Sequence, residues 1–181
     1  MIRAALCLCM VAGVSAAQDL PEGYPPVMGA VSATLGDKAL SWQTYDFSVG
    51  AFDASAWMHE EGSGYELRIM AYLPDQPRRK KDRIFIVAQF AALPEAGAAA
   101  QSVTVNIMAG DKLDGPRLTS EGQPATLEIT GFTRKGDESY GEGSGTFRTV
   151  LCKTRGGTAR IGKKCKPFEG TFDTELQFEN M

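Results

Sequence analysis

Hydrophobic and polar residues alternate along most of this chain, and no stretch sustains the 3.6-residue period of an amphipathic helix. Tyr65 to Leu73 shows the alternation well. Tyr65, Leu67, Ile69 and Ala71 fall on one face of a strand, and Glu66 and Arg68 on the other. Thr126 to Phe132 repeats it, with Leu127 and Ile129 opposing Glu128 and Thr130. Ile84 to Phe90 (IFIVAQF) is a continuous apolar run and predicts a strand buried on both faces.

Further strands are predicted over Ala30–Leu35, Leu40–Val49, Phe52–Met58, Ser102–Met108, Ser144–Cys152 and Phe168–Phe178. Between them lie turn signals. Gly36-Asp37-Lys38 ends the first strand, and His59-Glu60-Glu61-Gly62-Ser63-Gly64 reads as a hairpin loop. Gly110 to Gln123 is rich in turn residues, and Ala91 to Gln101 predicts one or two helical turns weakened by Gly97. About nine short strands at regular spacing predict an all-β fold, an antiparallel sandwich of eight to nine strands. The alternative is a partly open or closed β-barrel.

One pattern recurs. Gly145-Thr-Phe-Arg-Thr-Val-Leu151 matches Gly170-Thr-Phe-Asp-Thr-Glu-Leu176 as G-T-F-x-T-x-L. Two copies are too few for a repeat protein. They predict neighbouring antiparallel strands with Phe and Leu inward and the glycines at bends or close approaches.

The N-terminus changes the compartment. Arg3, the apolar run Ala4–Val14 and the small residues Ser15, Ala16 and Ala17 read as a Sec-type signal peptide over residues 1–17. The run is shorter than the roughly 20 residues that span a bilayer. The expected mature chain is therefore periplasmic or secreted, with no transmembrane segment. Cys7 and Cys9 lie too early for a lipoprotein cleavage site. A Pro/Gly-rich arm (18–29) and one β domain (30–181) follow, about 164 residues and enough for one core. Cys152 and Cys165 then remain as an even pair in an exported chain, which predicts a disulfide. No Cys-x-x-Cys motif suggests thiol exchange.

The net charge of −3 becomes −4 when Arg3 is removed, 18 basic against 22 acidic residues. That argues against a nucleic-acid partner. The cations are unevenly spread. Arg78-Arg79-Lys80-Lys81 forms one run, and Lys153, Arg155, Arg160, Lys163, Lys164 and Lys166 gather around the loop between the cysteines, with no acid among residues 153–166. Both read as candidate binding loops for an anionic envelope component or another exported protein. Solvated loops that discourage edge aggregation are the competing reading. The functional reading needs both runs at one end of the domain.

Other chemistry is sparse. His59 is the only histidine, and His59-Glu60-Glu61 as consecutive strand residues would point to opposite faces. Together with the paired cysteines this predicts no metal site. Neither Gly62-Ser63-Gly64 nor Gly143-Ser144-Gly145 is a nucleophile elbow, and no cofactor motif appears. Scattered carboxylates (Asp46, Asp53, Glu60, Glu61) leave a periplasmic hydrolase as a minor alternative. Trp42 and Trp57 mark a possible apolar ligand face, which would make the protein a small carrier. The leading expectation is a non-catalytic binding or interaction module that displays loops on a β scaffold.

Overall fold

The computed structural model describes residues 23–47, 54–77, 79–110, 115–134, 139–155, 158–159 and 164–179. The expected signal peptide lies outside them. The chain is all-β, with eleven strands and no helix among the described residues: β1 (Val27–Leu35), β2 (Lys38–Tyr45), β3 (Ala56–Glu61), β4 (Gly64–Ala71), β5 (Ile84–Phe90), β6 (Ser102–Met108), β7 (Pro116–Thr119), β8 (Ala125–Arg134), β9 (Tyr140–Arg155), β10 (Thr158–Ala159) and β11 (Cys165–Glu179).

Strand pairing returns to its starting point: β9 pairs β11, β11 pairs β3, and β4, β5, β6 and β7 follow in order until β7 pairs β9. Two of these junctions are short. β3 meets β11 through three parallel pairs, and β7 meets β9 through two antiparallel ones. The ring is thus flattened into two layers and pinched at two corners, an arrangement compatible with either the sandwich or the barrel expected from sequence. One layer is β2-β1-β11-β9-β8 and the other is β3 to β7. The long strands β9 and β11 are central in the first layer, and their ends pair with β7 and β3, the edge strands of the second, which holds the corners together.

Period-two alternation explains the core. Leu67, Ile69 and Ala71 of β4, Ile84, Ile86 and Ala88 of β5, and Val105 and Ile107 of β6 are fully buried. They face Val31, Trp42, Leu127, Ile129, Phe147, Phe168, Phe172 and Leu176 of the other layer. Apolar burial on this scale is the main term favouring the fold. β5 departs from expectation. Ile84, Ile86, Ala88 and Phe90 are buried, but Phe85, Val87 and Gln89 on its other face are only partly covered. A single layer of strands has one core face, so the apolar run is half-buried rather than enclosed.

The repeated motif forms the central strand pair. In the β9–β11 register Gly145 lies opposite Phe172 and Phe147 opposite Gly170. Each phenylalanine ring lies over the other copy's glycine, where no side chain stands in the way.

Three other expectations change. β3 runs on through Glu61, and the turn is only Gly62-Ser63, with Gly62 at φ 63° in the position a tight hairpin favours for glycine. Residues 97–100 form no helical turn. Gly97 and Ala100 donate to Ile129 O and Leu127 O (2.8 and 2.9 Å), and Ala98 O accepts from Ile129 N–H, so this segment closes the free edge of β8. β7, inside the turn-rich stretch 110–123, pairs on both sides. The first strand begins at Val27, and Asp46 N–H donates to Pro26 O (2.9 Å), so the end of the Pro/Gly-rich arm is bound to the domain.

At the far end of β2, Gln43 pairs with Tyr72, and the rings of Tyr45, Phe47 and Tyr72 pack within 5.5–6.1 Å of one another. Burial pushes the Tyr45 and Tyr72 hydroxyls above the ordinary tyrosine value. The unfolded chain ionises these groups near pH 10, whereas the folded chain holds the protons longer. Their contribution to stability is therefore complete below about pH 10 and lost as pH rises through the folded values. Denaturant midpoints should fall between about pH 9 and pH 11, with a late step in tyrosinate absorbance. A flat midpoint over that interval would contradict the assignment.

Candidate functional site

The two basic loops leave the domain at one end. β5–β6, β6–β7 and β7–β9 are all antiparallel, so β5 and β7 begin where β6 and β9 finish. Hydrogen bonds and pairing tie the roots of the loops side by side. Asp82 N–H donates to Met108 O (3.2 Å), Met108 pairs with Pro116, and Thr154 Oγ1 donates to Pro116 O. Three strand spacings separate Asp82 from Thr154, about 15 Å. Asp82 is anchored twice more: its carboxylate accepts from Arg117 Nε (2.8 Å) and its carbonyl from Trp42 Nε1–H (2.8 Å). The β1–β2 turn reaches the same end, since Gly36 N–H donates to Pro167 O (2.9 Å), which brings the turn beside Lys38 to the start of β11.

Arg79, Lys80, Lys81, Lys153, Lys164 and Lys166 are exposed there. None forms an ion pair among the described residues; Arg79 reaches only Gln76 (2.7 Å). Arg78, Arg160 and Lys163 lie outside the described residues, and only the backbone of Arg155 is described. Cys152 and Cys165 are directly opposite in the β9–β11 register and form the disulfide at the base of the second loop.

The tryptophans do not share a face. Trp42 is 2% exposed, and its ring meets Phe168 edge-on at 6.4 Å. Trp57 lies between fully buried Ala56 and Met58 on β3, so it points away from the core and is half-buried. The carboxylates named from sequence are dispersed. Glu60 accepts from Tyr65 Oη (2.8 Å), Asp46 follows β2 and bridges to Ala54, and Asp53 lies outside the described residues.

A different cluster emerges on the outer face of β3, β4 and β5. His59 and Glu61 are two apart and share that face, and Glu66 of β4 lies directly opposite His59. Gln89 of β5 lies opposite Glu66. Neighbouring His59 and Glu60 do point to opposite faces, as alternation requires; what the sequence argument left out is Glu61 two residues on and Glu66 across the hairpin. Reading Glu61-Gly62-Ser63-Gly64 as a two-residue hairpin would have paired His59 with Glu66 and found the cluster.

Glu66 is buried, although it points outward. Arg68 Nε and Gln89 Nε2 both donate to its carboxylate. His59 Nε2 stands 3.6 Å from Glu61 Oε2 and 3.8 Å from Glu66 Oε1. Hydrogen bonding, first from the Gln89 amide, holds the Glu61 carboxyl below the ordinary value; burial opposes it, and the Arg68 charge adds to the lowering.

The outer face of β2, β1, β11, β9 and β8 is concave and encloses an open groove of about 1010 Å³. Its exposed residues are Ser, Thr and Ala apart from Glu128 and the Arg148–Glu169 ion pair (3.0 Å). No aromatic side chain is exposed along it for a sugar or base to stack on. No helix among the described residues is long and apolar enough to cross a membrane.

Compared with known proteins, the chain matches no family model, no curated protein and no solved structure. The functional reading therefore rests on geometry alone.

Proposed function

We propose that the protein is an exported, non-catalytic binding module, periplasmic or secreted, whose basic end takes an anionic ligand. The observation that carries this reading is the shared end of the two cation runs. Neither run forms an ion pair among the described residues, and Asp82, the acid beside the first run, is paired with Arg117. Arg79, Lys80 and Lys81 stand on one loop, and Lys153, Lys164 and Lys166 flank the other, rooted about 15 Å apart. That spacing suits several phosphate groups on a surface better than one small anion. The partner class is a phosphate-bearing envelope component, and the disulfide and salt-bridged Asp82 supply the rigidity such a surface needs.

The test is cosedimentation of the mature protein with vesicles of phosphatidylglycerol and phosphatidylcholine, against pure phosphatidylcholine. Binding should need the anionic lipid and weaken steeply with salt. Replacing Lys80, Lys81, Lys164 and Lys166 by serine should cost about 1 kcal/mol per cation, on the order of a thousandfold at low salt. Equal binding by this variant, or equal binding to neutral vesicles, would overturn the reading. Capture of an acidic protein from the same compartment without vesicle binding would move the proposal to a protein partner.

A further inference from the structure

We infer that His59, Glu61 and Glu66 form a divalent-metal site of the zinc class, separate from the basic end. The three donor groups come from one hairpin, and their ligand atoms lie within 4.8 Å of one another. The two distances from His59 Nε2, 3.6 and 3.8 Å, are too long for hydrogen bonds. They are close to the spacing of neighbouring ligands around tetrahedral zinc, about 3.3–3.5 Å for metal–ligand bonds near 2.0–2.2 Å. Contraction by a few tenths of an ångström would bring each carboxylate to ligand spacing from Nε2, and the two carboxylates, within 4.8 Å of one another, would close on the ion together.

The histidine provides the second, independent argument. Its side chain is 13% exposed, and Nδ1 is buried without a partner. Nε2 is beyond hydrogen-bond reach of either carboxylate. A cation between Nε2 and the two carboxylates would take the Nε2 lone pair and fix the ring proton on Nδ1. The exposures grade in the direction an entry path requires. Glu66 is 5% exposed and His59 13%, while Glu61 is 50% exposed at the mouth, where water would fill the remaining position. One nitrogen and two oxygens suit zinc better than the all-oxygen preference of calcium or magnesium.

Arg68 shapes the site. Its guanidinium donates to Glu66 Oε1, the oxygen that faces His59, and is 40% exposed. In the metal-free protein it offsets one carboxylate. In the loaded protein it becomes a nearby like charge that lowers affinity, or swings outward. Gln89 holds the other oxygen of Glu66 and fixes the carboxylate's orientation.

The experiment is titration of the untagged mature protein with Zn²⁺ by calorimetry, with Co²⁺ absorption as the coordination signature. One equivalent should bind. Because His59 is the only histidine, its imidazole ¹⁵N resonances report the site directly in the wild-type chain, and Nε2 should shift on saturation at one equivalent. His59→Ala and Glu66→Gln should each weaken binding at least a hundredfold, and Arg68→Gln should tighten it about tenfold. Unmoved imidazole resonances would overturn the assignment even if a variant fails to fold. So would binding that survives His59→Ala, or an Arg68→Gln variant that binds more weakly.

Discussion

A single methyl group added at Gly170 is expected to cost about 3 kcal/mol, at the upper end of overpacking penalties. A β-carbon there would meet Ser32 O of the paired strand, and would stand 2.6 Å from Ala33 Cβ and 2.7 Å from Phe147 Cζ. The backbone oxygen belongs to the middle of the β1–β11 ladder and cannot yield without parting the strands. Gly145→Ala should behave similarly, with Phe172 Cε1 and Cζ and Glu128 O all at 2.6 Å. The sign is the informative part. Glycine inside a strand ordinarily costs about 0.5–1 kcal/mol relative to alanine, so the substitution would normally help. At Gly110, where nothing lies within 4 Å, alanine should change stability by no more than about 0.5 kcal/mol. Combining Gly145→Ala with Phe172→Leu should cost less than the sum of the two, because the ring supplies two of the three clashes. Urea unfolding gives all these values. A Gly170→Ala midpoint at or above that of the parent protein would show that the glycine–phenylalanine register is not a packing constraint.

The repeated G-T-F-x-T-x-L motif was legible in sequence as a strand pair with inward Phe and Leu. Its reciprocal fit was not, because that depends on register. The same limit recurs through the molecule. Ile84–Phe90 and Ser102–Met108 have the predicted bounds, since their hydrophobic pattern is local and ends at turn residues. Pro116–Thr119 is too short and too enclosed by Gly and Pro to declare itself, and Leu118 is in a strand because Ile107 and Lys153 flank it. Alanine-rich residues 97–100 follow an edge that needed covering, and tertiary pairing overrides their helix propensity. Both sites obey the same logic. The cations of the basic end were visible as composition, but their shared end depends on the pairing order from β5 through β9. Glu66 was read as a polar residue on an outward face. Its burial comes from partners on three strands: His59, Arg68 and Gln89.

Breaking the Cys152–Cys165 bond is the other large expected effect, about 3 kcal/mol for a loop of this size in the chain-entropy model. Its position makes it more than a restraint on the unfolded chain. Cys152 is fully buried and pairs with Thr119 of β7 on one side and Cys165 of β11 on the other. β7 meets β9 through two pairs only, so the bond sits at the corner where the ring of strands closes. Two outcomes separate the roles. If the bond acts only on the unfolded ensemble, the Cys152→Ala/Cys165→Ala protein melts earlier while its folded state resists trypsin as before. If it also holds the corner, trypsin should cut between residues 153 and 166 well before global unfolding, because that loop opens locally. The second outcome is expected, and it bears on function. The variant keeps every cation, yet loses the fixed spacing between the two basic loops. Its binding to anionic vesicles should therefore weaken without any change in charge, as it should for a site whose strength depends on preorganisation. Unchanged vesicle binding by a corner-opened variant would mean that the basic end acts through charge density alone. Equal melting midpoints with and without reductant, once alkylation has shown both thiols free, would remove the bond from the stability argument.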